Sequence, residues 1–67
     1  MENFGIMVSY ETTYRGHHYR VVLQHHRNDF AVFRYKDGQE LSYEVFGFLN
    51  VAKNEYKKYV EQLKVMK

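Results

Sequence analysis

The sequence predicts an α+β domain: a four-stranded antiparallel meander sheet (ββββ) with one C-terminal helix packed on one face. Three observations predict it. The dipeptides Arg15-Gly16, Asn28-Asp29 and Asp37-Gly38 divide the first two thirds of the chain into four segments. Within each segment apolar and polar residues alternate, the period of a half-buried strand. From Leu49 onward the apolar spacing becomes three and four residues, the period of a helix stripe. Residues 1–67 read as a single domain, with the sheet over 4–47 and the helix over 49–66.

The turns come first because they set the pairing. Asp37-Gly38 is the strongest, since a two-residue type I′ hairpin needs positive φ at both central positions. Asn28-Asp29 is a weaker version built from residues that tolerate the left-handed region. Arg15-Gly16 is weaker again, because arginine gains nothing at positive φ. Taking all three loops as two residues long sets Tyr10 opposite Val21 and Val8 opposite Leu23. It also sets Leu23 opposite Arg34, Val22 opposite Tyr35, and Val32 opposite Tyr43. Side chains alternate along a strand, so one face collects Ile6, Val8, Tyr10, Tyr19, Val21, Leu23, Phe30, Val32, Leu41, Tyr43 and Val45.

The helix stripe is Leu49, Ala52, Tyr56, Tyr59, Val60 and Leu63. Asn50 is the expected N-cap, and Ala52 is small enough for close approach to the sheet. Lys57, Lys58, Lys64 and Lys67 crowd the C-terminal half, where the helix dipole favours cations.

Composition bounds the function. A chain of 67 residues buries only about 60% of its unfolded surface. With no cysteine, disulfides, thiolate metal sites and catalytic thiols are excluded. The staples left are an aromatic core or self-association. No apolar run approaches the roughly 20 residues of a membrane span. The N-terminus shows no signal-peptide pattern, and a cytoplasmic location is expected. The formal charge of +2 is only mildly basic.

One helix covers one face, so the other is expected to meet solvent with Met7, Ser9, Glu11, Arg20, Val22, Gln24, His26, Ala31, Phe33, Tyr35, Glu40, Ser42, Glu44 and Phe46. Val22, Phe33 and Tyr35, flanked by Met7 and Phe46, form the candidate partner-binding patch. Contiguous exposed apolar area marks interfaces, although cross-strand pairing alone also explains such a cluster. The first strand is a second candidate: it lies at an edge and carries no lysine or proline to discourage added strands.

The histidine pairs His17-His18 and His25-His26 do not assemble a metal site. Neighbours on a strand point to opposite faces, and His18 and His26 are separated by more than about 20 Å of strand. No cofactor is expected. Nor does a nucleophile–base pair or a carboxylate pair in a cleft appear, so the chain is not expected to be an enzyme. Glu11 opposite Arg20 reads as a surface ion pair.

The expected function is a small non-catalytic protein-interaction module, one that regulates or inhibits a larger protein or associates with a second copy of itself. It would work through the open sheet face or the first-strand edge. The alternative is a nucleic-acid-binding regulator using Lys53, Lys57 and Lys64 of the helix, or Arg20 of the sheet. In outline the strands, Gly47-Phe48, Ala52 and the Tyr56-bearing helix resemble the sheet-plus-helix DNA-binding modules of integrase arm-binding domains. That resemblance, spanning roughly Tyr19 to Lys64, implies groove reading by the sheet. The carboxylates Glu11, Glu40 and Glu44, expected on the open face, oppose it by repelling phosphates.

Overall fold

The computed structural model describes residues 4–66, with side chains from Gly5 onward. Strands β1 (Phe4–Tyr14), β2 (His17–His26), β3 (Asp29–Lys36) and β4 (Gln39–Phe46) form one antiparallel sheet in the order β1-β2-β3-β4. Helix α1 (Leu49–Lys64) follows and packs mainly over β2 and β3, with β4 beside them. The predicted meander and its covering helix are both present. Met1 to Asn3 and Lys67 lie outside the described residues, and with them the last lysine of the helix end.

The core is the expected one at its centre. Val21, Leu23 and Val32 of the sheet are buried against Ala52, Tyr59 and Val60 of α1. Tyr10, Phe30, Phe46, Leu49, Tyr56 and Leu63 pack around them. Ala52 is fully buried, so helix and sheet approach closely there. The helix stripe read from the sequence is therefore the buried stripe, but the cap differs. Phe48 is the N-cap residue and makes no side-chain cap bond, while Asn50 lies inside the first turn.

Two of the three turns sit where the sequence put them. Arg15-Gly16 and Asp37-Gly38 both take positive φ, 52° and 81° in the first, 51° and 84° in the second. Asp37 is held further: its Oδ1 accepts the His18 backbone N–H at 2.8 Å and its Oδ2 lies 2.8 Å from His17 Nδ1.

The middle turn is displaced. His26 pairs with Asp29, so the loop is Arg27-Asn28, with Arg27 at φ 55°, rather than Asn28-Asp29. The shift of the β2–β3 register is by two residues, so every side chain keeps its face. What it changes is the partner. Leu23 opposes Val32 and Val22 opposes Phe33, replacing the expected pairs with Arg34 and Tyr35. His25 opposes Phe30, and their rings stack with centroids 4.8 Å apart. Matching apolar and aromatic residues across the strands outweighs the turn propensity of Asn-Asp.

Two bulges change faces. In β1 the register shifts between Ile6 and Val8, so Ile6 opposes Gln24 and moves from the predicted helix side to the open side. In β4 it shifts beside Tyr35: Tyr35 opposes Glu40, Arg34 opposes Ser42, and Leu41 is the extra residue. Beyond Leu41 the predicted assignment is reversed. Ser42, Glu44 and Phe46 face the helix, while Tyr43 and Val45 face away from it.

The physical reason lies in the covered layer. Arg34 and Tyr59 bring polar ends under the helix, and buried polar groups require partners. Arg34 Nε donates to Ser42 Oγ at 2.7 Å, and the Tyr59 hydroxyl donates to Glu44 Oε1 at 2.6 Å. The unbulged register would have put Leu41 and Tyr43 in those two places instead. Phe46 then fills the apolar end of the same layer.

Candidate functional site

The open face is built from β2, β3 and β4 with no helix above it. Across its centre run Val22, Phe33 and Tyr43, which are register partners in turn. The Phe33 and Tyr43 rings lie 4.8 Å apart, and the Phe33 and Tyr35 rings stack at 6.1 Å. His26 is tilted against Phe33 at 6.4 Å. One pleat on, Gln24, Ala31 and Val45 are aligned, with Ile6 opposite Gln24. Tyr43, Val45 and Ile6 are about half exposed, at 49%, 50% and 56%.

Of the five residues the sequence offered for a partner patch, three are brought together. Val22, Phe33 and Tyr35 share the face, but Val22 is only 3% exposed and is shielded by its neighbours rather than presented. Phe46 does not belong: it packs on the core under α1. Met7 is exposed at the β1 bulge, between the residues where the register slips. Sequence reasoning missed Tyr43, Val45 and Ile6, because strict alternation assigned all three to the covered side. The signal available was the pair of polar residues Arg34 and Tyr59, each on the helix-facing pattern and each needing an acceptor.

Electrostatics change with the register. Glu44 leaves the open face, and the displaced turn adds Asp29 opposite His26, so the carboxylates there are Glu11, Asp29 and Glu40. Glu11 opposes Arg20 in register but its hydrogen bond is with His18, Oε1 to Nε2 at 2.8 Å, not an ion pair with Arg20 as the sequence suggested. Arg20 is half-buried opposite Tyr35, and its Nε has no hydrogen-bond partner. Lys53, Lys57 and Lys64 lie on α1, across the sheet from Arg20. Lys64 pairs with Glu61 at 3.9 Å and lies 5.7 Å from the centre of the Tyr10 ring. The four basic residues proposed for nucleic acid thus form no single surface.

The covered side carries a second cluster, Arg34, Ser42, Glu44, Glu55 and Tyr59. The bond to Glu44, then burial, pushes the Tyr59 phenol far above its ordinary value. Glu55 is held below its usual range, chiefly by the nearby Tyr59 hydroxyl and despite desolvation. The Arg34 guanidinium sits 4.2 Å from the Tyr59 ring centre.

The first-strand edge differs from its sequence reading as well. It remains an edge, but its bulge at Met7 interrupts the regular ladder an added strand would need. Among the described residues no group of three or more metal-binding side chains converges, and no helix is long and apolar enough to cross a membrane. No family model matches the chain, and no curated protein or solved structure matches it.

Proposed function

We propose that this is a small non-catalytic protein-interaction module that uses the open sheet face, regulating a larger protein or pairing with a second copy. The observation that carries this reading is the aromatic strip Tyr35–Phe33–Tyr43 extended by Val45 and Ile6. Its three rings are in contact, and the whole is partly exposed and left uncovered by the fold's own helix. Aromatic anchors of this type supply most of the energy of protein interfaces. The bulge at Met7 argues for the face over the edge of β1.

The test uses residues whose side chains are exposed, so that folding is spared. Replacing Tyr43 and Val45 together by serine is expected to abolish association, measured by sedimentation of the self-complex or by capture of a partner, with the melting temperature little changed. Unaltered association in that variant rejects the face as the binding surface.

One observation favours a second reading, a nucleic-acid-binding regulator. With Glu44 turned to the helix side, the open face presents Arg20, His18 and His26 around aromatic rings on which bases stack. This reading predicts oligonucleotide binding that weakens steeply with salt and on Arg20→Gln. Salt-independent or undetectable binding to single strands and duplexes eliminates it.

A further inference from the structure

Beyond the open face, the helix side carries a cavity of about 200 Å³ where α1 ends and the sheet continues past it. Tyr19, Arg34, Leu41, Tyr59, Leu63 and Met66 are among its lining residues. The walls are mostly aromatic and aliphatic, with two arginines among them, Arg20 and Arg34. Arg34 is fixed at two points: its Nε donates to Ser42 Oγ, and its guanidinium lies over the Tyr59 ring.

Those two contacts use one donor and one face of the guanidinium, leaving the four terminal N–H donors for another acceptor. No carboxylate ion-pairs with Arg34 among the described residues; Glu44, on the adjoining strand, accepts from Tyr59 instead. Lys36 adds positive charge nearby, its ammonium 5.8 Å from the centre of the Tyr19 ring. A planar guanidinium held this way matches a carboxylate bidentately. The volume falls below the roughly 300–1,000 Å³ of sites for drug-sized ligands, so the occupant is small.

We propose that this cavity binds a small carboxylic acid with an apolar body. The carboxylate accepts from the Arg34 terminal N–H groups, and the hydrocarbon lies against Leu41, Leu63 and Tyr19. Tyr35 is the one residue of the strip that also lines this cavity, and none of the residues varied below belongs to the strip, so either reading stands if the other fails.

Hexanoate titrated into ¹⁵N-labelled protein at neutral pH tests the proposal, with uncharged hexanamide as its isostere. Saturable shifts of the Leu41, Tyr59 and Leu63 amides are expected for hexanoate. Hexanamide should bind at least about tenfold more weakly. Arg34→Gln should lower hexanoate affinity by a similar factor. Leu41→Glu, at an exposed position, should abolish binding with the amide spectrum otherwise preserved, and it decides the matter if Arg34→Gln does not fold. Absence of saturation, equal binding of the amide, or full binding to Leu41→Glu overturns the assignment.

Discussion

The two faces of the sheet share one set of strands but solve opposite problems. On the covered face Val21, Leu23 and Val32 are sealed by α1, and the polar groups that enter are paired: Arg34 to Ser42, Tyr59 to Glu44. On the open face rings and aliphatics stand in water with only each other for cover. The comparison teaches that polar satisfaction can outrank hydrophobic alternation in setting a register. One extra residue at Leu41 gives the covered layer its acceptors, and the consequence appears on the far side as Tyr43 and Val45 exposed. An aromatic face that the fold could have buried, and did not, is the reason to read it as a binding surface.

The sharpest way to break this comparison is a pair of substitutions one residue apart. Phe46→Lys places a charge in the core cluster and is expected to cost about 3 kcal/mol or more, enough to unfold a marginal domain. Val45→Lys should change stability by less than about 0.5 kcal/mol, the usual range for exposed sites. Thermal or denaturant melts read both. The reverse order of effects restores unbroken alternation in β4.

A smaller effect sharpens the account of the covered face. Tyr59→Phe leaves Glu44 without its donor and should cost about 1–2 kcal/mol. The sign with pH follows from the raised phenol: its unfolded value lies near 10. Neutral Tyr59 contributes its full stability below that pH and loses it as pH rises through the higher folded value. The wild type should therefore lose stability above about pH 10 more steeply than Tyr59→Phe.

The smallest expected effect concerns the turn. The His18 backbone N–H, then His17, holds the Asp37 carboxyl below its usual 3.8. A depressed carboxylate contributes stability above its unfolded value, and that contribution is lost as pH falls through the folded one. Asp37→Asn should melt slightly lower at neutrality and show a flatter acid limb below about pH 4, so that the two proteins converge in acid, as seen in melting temperature against pH.

Much of this fold is legible in the residues themselves. Asp37-Gly38 and the Leu49–Leu63 stripe act locally, through φ preference and helical period, and both are where the sequence puts them. Val21, Leu23 and Val32 are legible for the same reason. The displaced turn at Arg27-Asn28 was not, because the choice between neighbouring two-residue loops is made by the Leu23–Val32 and Val22–Phe33 pairs, which become visible only once strands are laid side by side. The bulges were less legible still. Nothing within Gln39–Phe46 announces that Leu41 is the extra residue; the demand comes from Arg34 and Tyr59, on other elements. Half of the candidate patch, Val22, Phe33 and Tyr35, followed from β2 and β3 alone. The other half, Tyr43, Val45 and Ile6, depended on two slips of register.

The most direct test of that reversal is a set of proton–proton proximities from the Tyr43 ring in solution. The account predicts contacts from Tyr43 to the Phe33 ring, with Phe46 alone of the two touching α1. Contacts from Tyr43 to Tyr59 or Val60 would contradict it, returning β4 to simple alternation and removing the exposed strip.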